Sequence, residues 1–240
     1  MTNTPIINKM SERLLAVASL VTPGSRTADI GTDHGYVPVY LVENGIVPSA
    51  LAMDVRKGPL ARAEETVTGA GLSDRIDLRL SDGLEKLKPG EADTAVLAGM
   101  GGMLICHILT SHPETTASLK ELVLEPQSEV DKVRRLLSEI GFAITDERMI
   151  FEDGKYYPVI QAEKQTSSPA ALDEMEAHFG PVLLQRRDPI LRKYLAWQIQ
   201  VCEQITVRLA MAGSENSMQR LQEVKEELRL LLAAYSRYEM

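Results

Sequence analysis

No stretch of this chain is apolar for anything near the roughly 20 residues that a membrane span requires. The amino terminus, Met1-Thr2-Asn3-Thr4-Pro5, lacks the basic segment and apolar core of a signal peptide. No membrane partner is expected. Cysteine is scarce: Cys106 and Cys202 stand far apart, without metal-ligand spacing. They read as free, buried thiols of a reducing cytosol, so the expected location is cytoplasmic. Four scattered histidines make no metal site either. An excess of positive charge is also missing, since the net charge is −8. That argues against a nucleic-acid partner only weakly, because a local basic face decides such binding. What remains is 240 residues, 44% hydrophobic, enough for one α/β domain and a smaller attachment.

The most informative stretch is Asp29-Ile30-Gly31-Thr32-Asp33-His34-Gly35-Tyr36. A strand-like step ends in Gly31, and a helical pattern begins near Gly35 with Val37, Tyr40 and Leu41. A strand that ends in glycine and opens a helix surrounds a ligand with backbone N–H groups and the positive helix end. A second apolar run, Ala50-Leu51-Ala52-Met53, closes on Asp54 beside Val55. An acid there typically holds the ribose hydroxyls of a nucleotide cofactor. A dinucleotide site needs G-x-G-x-x-G, so that the backbone can close on a pyrophosphate. Here Asp33 sits between Gly31 and Gly35 and would repel one. A cationic or zwitterionic ligand suits the same place, and S-adenosyl-L-methionine fits that description. The pattern looks like the first motif of class I methyltransferases.

Strands and helices alternate to about Lys164. Expected strands are Ala28–Gly31, Ala50–Val55, Ile76–Leu80, Thr94–Ala98 and Glu121–Glu125; expected helices are Tyr36–Glu43, Leu60–Gly69, Met103–Leu109 and Glu129–Ile140. A short amphipathic helix around Leu14–Val21 precedes them. Phe142–Phe151 and Tyr156–Ala162 flank Glu152-Asp153-Gly154-Lys155, a hairpin signal. The expected fold is a doubly wound, Rossmann-like α/β sheet of the class I methyltransferase type, closed by an antiparallel hairpin. Gln165-Thr166-Ser167-Ser168-Pro169 is a polar break. It separates a cofactor-binding domain, 1–164, from a helical domain, 170–240. There Leu191, Leu195, Cys202, Ile205 and Leu209, then Leu221, Val224, Leu228, Leu231 and Tyr235, follow coiled-coil spacing. Joined by the polar loop Gly213–Ser217, they predict an antiparallel helical pair.

Three more segments fall at the carboxyl ends of the strands, where ligands of such sheets bind. In Ser81-Asp82-Gly83, Asp82 either accepts a hydrogen bond from an adenine amine or caps a helix. In Ala98-Gly99-Met100-Gly101-Gly102 the glycines let a flat base approach and Met100 can pack on it, or the segment is simply a tight turn. The Asn/Asp-Pro-Pro-aromatic pattern of amino-directed DNA methyltransferases is absent there. In Leu124-Glu125-Pro126-Gln127, Gln127 presents an amide near the cleft, or the segment is a plain loop capped by Ser128.

DIGTDHGY, the acid-ended second strand followed by Lys57-Gly58-Pro59-Leu60, SDGL and AGMGGMLI together resemble the TrmK family. These are bacterial tRNA methyltransferases that modify N1 of adenine 22. The likeness covers roughly 7–164, and the helical tail fits the family's two-domain plan. The chain departs from the family in having Glu125-Pro126-Gln127 where Gln-Pro-Asn is usual, and Met53-Asp54-Val55 where Glu-Val-Val is common. The resemblance implies S-adenosyl-L-methionine as cofactor, held by Asp29, Gly31, Asp33, Gly35, Asp54, Val55, Asp82, Gly83, Ala98 and Gly99. It implies tRNA as the partner, and no metal.

Adenine N1 carries an in-plane lone pair and no proton, so alignment matters more than a strong base. Positive charge develops on the base, and a carboxylate would stabilise it. Asp33 is the candidate, with anchoring of the cofactor's methionine part as its competing role. His34 orients Asp33 or caps the helix; Tyr36 stacks on the base or packs in the core. With Met100 these form the candidate catalytic set. N1 is blocked by pairing in a duplex, so the base must be unpaired or extruded. Arg134-Arg135, Arg186-Arg187 and Arg192-Lys193 are dense basic groups and candidate RNA contacts, although such groups are commonly solvated helix faces. Two other functions fit part of the pattern: methyl transfer to a different acceptor, and a non-catalytic nucleotide-binding module that dimerises through the tail. The sequence leaves the oligomeric state open.

Overall fold

The structure, a computed structural model, describes residues 6–212 and 214–239. The amino-terminal Met1–Pro5 and Gly213 of the expected interhelical loop lie outside the described residues. The chain divides into two compact units, Met1–Ala171 and Leu172–Met240.

The first unit is built on β1 (Thr27–Ile30), β2 (Ala50–Asp54), β3 (Ile76–Leu80), β4 (Thr94–Met100) and β5 (Glu121–Pro126), followed by β6 (Phe142–Glu152) and β7 (Lys155–Lys164). They pair in the order β3-β2-β1-β4-β5-β7-β6. The first five run parallel, and β7 joins β5 antiparallel. This is the expected doubly wound sheet closed by a hairpin. Its central strands are buried on both faces, as parallel sheets require. Alternate residues feed two apolar layers: Ala52, Val96, Val123 and Val159 face one, while Met53, Leu97, Leu124 and Ile160 face the other.

Helices α1 (Glu12–Ser19), α2 (Tyr36–Glu43) and α3 (Lys57–Gly69) cover the first layer. Helices α4 (Gly102–Ser111) and α5 (Pro113–Ser118) lie between β4 and β5, α6 (Val130–Glu139) follows β5, and Ile105, Leu109, Val133 and Leu137 cover the second layer. Ser11 starts α1 by accepting the Leu14 N–H. Helix α5 carries no apolar period that would have announced it. Pro113 opens it, and buried Thr115 and Thr116 tie it to the carbonyls of Leu87 and Leu109. The hairpin strands run longer than expected. Asp153 and Gly154, at φ 49° and 77°, make the whole turn, a two-residue form that matches strand twist.

In the second unit, α7 (Glu174–Phe179) begins with a reciprocal cap between Asp173 and Glu176, and α8 (Pro181–Arg186) follows. Helices α9 (Pro189–Ala212) and α10 (Glu215–Ser236) form the expected pair, with Leu191, Leu195, Cys202, Leu221, Val224 and Leu231 buried. Arg192 lies over the Tyr235 ring at 5.7 Å, so the start of α9 meets the end of α10.

One expected surface residue is a core residue. Arg134, read as an RNA contact with Arg135, is 1% exposed, and its Nε donates to Glu147 Oε1 on β6 at 2.9 Å. Arg134 occupies the inward side of α6 next to Val133 and Leu137, whereas Arg135 is exposed. Neighbouring residues stand about 100° apart around a helix, and here the edge of the buried face falls between Arg134 and Arg135. Removing one partner of a buried pair strands the other charge. Arg134→Leu should therefore lower stability by about 3–5 kcal/mol, read as a reduced urea midpoint. Arg134→Met combined with Glu147→Leu should recover much of that loss. A single variant as stable as the original would refute the pairing as a structural requirement.

Candidate active site

The carboxyl ends of β1 to β5 bring the expected segments to one edge of the sheet. The loop after β1 bends over β2, because the Gly31 and Thr32 N–H groups both donate to the Met53 carbonyl, at 2.8 and 2.9 Å. Gly31 sits at φ 80°, and a side chain there would meet Met100 Cε at 2.8 Å. The expected cofactor loop and Met100 are thus in direct contact. Gly35, at φ 66°, presses on α3: a Cβ would come within 3.2 Å of Ala63 Cβ. Only glycine accepts both that conformation and that approach.

Asp29, next to last in β1, and Asp54, last in β2, lie on adjacent strands and are both buried. Burial pushes the Asp29 carboxyl up to about 6. The Thr32 hydroxyl opposes the rise, and the nearby Asp54 charge adds to it. Thr32 Oγ1 is buried without a hydrogen bond of normal geometry. Asp54 accepts the Arg56 N–H at 2.7 Å, while the Arg56 guanidinium stands off at 3.9 Å and is exposed. Asp29 has no basic partner among the described residues. A buried carboxylate in that position is costly by itself and favours a ligand that brings positive charge. Those acids, with Thr32 and the open glycine loop, suit the ammonium, sulfonium and ribose of S-adenosyl-L-methionine.

Asp82 is exposed beside Gly83, and no helix follows it to be capped: the segment is a turn in which Ser81 Oγ accepts the Lys86 N–H and donates to the Gly83 carbonyl. Both Asp82 and Gly83 border a cavity of about 210 Å³, shared with Ile108, His107 and His112. Val55, expected at the cofactor, is 58% exposed. Larger hollows, of about 540 and 690 Å³, lie at the opposite edge near the strand starts. They touch none of the expected site residues.

The loop after β4 has an unforeseen support. Strand β4 runs two residues past Ala98, and its pairing with β5 shifts between Ala98 and Met100, a bulge at Gly99 with φ 77°. Glu125, fully buried, holds that bulge: its Oε2 accepts the Gly99 N–H and Arg13 Nη1, each at 2.7 Å. Its Oε1 has no partner. Burial pushes the Glu125 carboxyl up, against the pull of Arg13 and the Gly99 N–H. A Cβ on Gly99 would face Arg13 Nη1 at 3.8 Å and Gln127 Nε2 at 3.9 Å, so an open notch lies between these groups. No local motif marks Arg13, which is 112 residues from Glu125 in the chain.

The acceptor-side candidates take different places. His34, at φ 63°, stacks on Tyr36 with centroids 5.1 Å apart. Its Nε2 lies 3.8 Å from Asp33, beyond hydrogen-bond reach. Tyr36 packs partly against the first apolar layer. Asp33 is exposed and accepts Arg62 Nη2 at 2.6 Å.

Asp29 carries a pH prediction. Its folded pKa lies above that of an unfolded Asp, so its contribution to stability is complete below about pH 4 and is lost as pH rises through about 6. Asp29→Asn should therefore stabilise the ligand-free protein relative to the original only above about pH 4. The gain should approach about 3 kcal/mol by pH 8. Urea midpoints at pH 4, 6 and 8 measure it; a pH-independent difference would contradict the burial argument.

Residues 10–160 match the family model of the methyltransferase domain. The chain is 35% identical over 228 residues to the tRNA (adenine(22)-N(1))-methyltransferase of Bacillus subtilis, covering 93% of this chain and 95% of that protein. Among solved structures, the B. subtilis m1A22 tRNA methyltransferase TrmK superposes with a TM-score of 0.84 at 33% identity, over 94% of this chain and 98% of that one. A Streptococcus pneumoniae protein solved with S-adenosyl-L-methionine superposes with a TM-score of 0.81 at 30% identity, over 94% and 99%. Fold, ordered motifs and likeness along nearly the whole length agree: the chain belongs to the TrmK family of tRNA (adenine(22)-N(1))-methyltransferases.

Proposed function

We propose that this protein transfers a methyl group from S-adenosyl-L-methionine to N1 of adenine 22 in tRNA. The observation that carries the reading is the buried Asp29 carboxyl beside Asp54 at the glycine loop, a site that a cationic nucleoside completes. The bound cofactor supplies an electrophilic methyl on sulfur. Asp54, at the end of β2, is assigned to the ribose, and Asp82 with Gly83 to the adenine. Met100 lies between the cofactor loop and the Gly99 notch, where it can pack against both reactants.

No base is required, because N1 attacks with its own lone pair. The chain's task is to align the two reactants and to balance charge. As the C–N bond forms and the C–S bond breaks, sulfur keeps the electron pair and the positive charge passes to the base. Asp33 is the exposed carboxylate of the cofactor loop and is assigned to that charge. The stacked His34–Tyr36 pair forms the adjoining wall. Arg135, Arg186, Arg187, Arg192 and Lys193 are assigned to the RNA backbone. No described helix is long and apolar enough to cross a membrane. A tRNA substrate supports a cytoplasmic location.

Labelled S-adenosyl-L-methionine tests the reaction with two tRNAs, one carrying the target adenine and one with guanine in its place. Label in the first alone, mapped to nucleotide 22, is the expected result. Transfer to the guanine control, or to no RNA, would overturn it. Gly31→Val should abolish cofactor binding in calorimetry, since a branched side chain cannot take φ 80° and would strike Met100. Asp33→Asn should lower the single-turnover rate about 10²–10³-fold at saturating cofactor and tRNA, because its charge acts mainly in the transition state. A near-normal rate under saturation would confine Asp33 to cofactor anchoring.

A further inference from the structure

Asp33 does not face the acceptor side alone. Arg62, on α3, donates Nη2 to Asp33 Oδ1 at 2.6 Å. The approach is fixed by packing one residue along: Ala63 is fully buried, and its Cβ stands 3.2 Å from where a Gly35 side chain would begin. The turn of α3 that carries Arg62 is therefore pinned to the loop that carries Asp33. The Arg62 side chain runs back towards the start of α3, where its Nη1 lies 3.8 Å from a Cβ position on Gly58. The absence of a side chain at Gly58 leaves that side of the guanidinium open.

We infer that Arg62 is a phosphate-binding residue for the RNA substrate, held on Asp33 until RNA arrives. The inference rests on the reading of tRNA as substrate and of Asp33 as the acceptor-side carboxylate. The hydrogen bond between the pair runs from one guanidinium nitrogen to one carboxylate oxygen, and a guanidinium has further donors to offer. The side chains are 43% and 59% exposed. An ion pair so wetted holds its partners by only about fivefold in equilibrium, so exchange is easy. A phosphate matches the guanidinium fork better than one carboxylate oxygen does. Arg56 and Lys57, both exposed, flank the same helix start, whose N–H groups carry no side-chain cap. These three cations, Arg56, Lys57 and Arg62, face two carboxylates there, Asp33 and Asp54.

The exchange has a chemical consequence. While Arg62 sits on Asp33, its charge offsets the carboxylate that the methylated base needs. The phosphate beside the extruded nucleotide offers the guanidinium a better-matched anion. The cofactor's methionine carboxylate is the competing anion, and the cofactor-affinity measurement separates the two. RNA docking thereby uncovers the carboxylate at the moment the base enters.

The test uses the full chain with Arg62→Gln and Arg62→Lys. Direct tRNA binding is measured across a salt series, cofactor affinity by calorimetry, and single-turnover methylation at saturation. Arg62→Gln should weaken tRNA binding about tenfold at moderate salt and reduce the slope of log K against log salt by about one. Arg62→Lys should restore most of that slope. Cofactor affinity should stay within about twofold in both, and the saturated rate of Arg62→Gln should match or exceed the original. An unchanged tRNA affinity and salt slope would overturn the inference. So would a lost cofactor affinity, or a large fall in saturated rate with binding intact, which would make Arg62 a fixed support of Asp33. If the original chain binds tRNA but transfers no methyl, the reaction assignment fails, while the binding arm still decides Arg62.

Discussion

A carboxylate taken out of water must find donors, a cation or a proton, and this constraint organises the molecule. Asp29 lies buried near the end of β1 with Asp54 beside it, and its carboxyl is pushed up to about 6. No basic side chain among the described residues neutralises it. Hydrophobic layers on both faces of the sheet hold it there, so the fold sustains a local cost in the ligand-free state. In the proposed reading a cationic cofactor removes that cost, so the packing of the sheet prepares part of the binding energy.

Other buried acids in the same unit are satisfied from within, and the contrast separates structure from site. Glu147 is answered by Arg134. Glu121 is bound by Thr22, Thr94 and Gln161 at the opposite edge of the sheet. Glu125 stands between these cases. Arg13 and the Gly99 N–H occupy one oxygen, and the other has no partner. Glu125 also fixes the bulge at Gly99, so an ion pair from α1 shapes the loop after β4. Around Asp33 the same chemistry is loose and wetted, which suits exchange with a substrate rather than permanent support.

Much of this is legible in the chain because local patterns and the parallel sheet impose the same demands. Apolar runs mark the five parallel strands, and Gly31 and Gly35 mark where only positive φ and a close approach serve. Asp153-Gly154 announces the hairpin. Helices α5, α7 and α8 escape a reading of the sequence, because six residues are too few to show a helical period. Arg134 reads wrongly as a surface residue because the edge of the buried face of α6 falls between it and Arg135. Its partner lies on another element, which composition cannot reveal.

The sequence by itself determined the fold class, the glycine loop after β1 and the ordered motifs of the family, because backbone conformation and strand patterning are local properties. Only the tertiary structure decided which charges answer one another. Arg13 reaches Glu125 across 112 residues, and Arg62 reaches Asp33 across 29. Such pairs depend on how strands are ordered and how tightly α3 seats on Gly35. Those are properties of the packed sheet, and no short window of residues contains them.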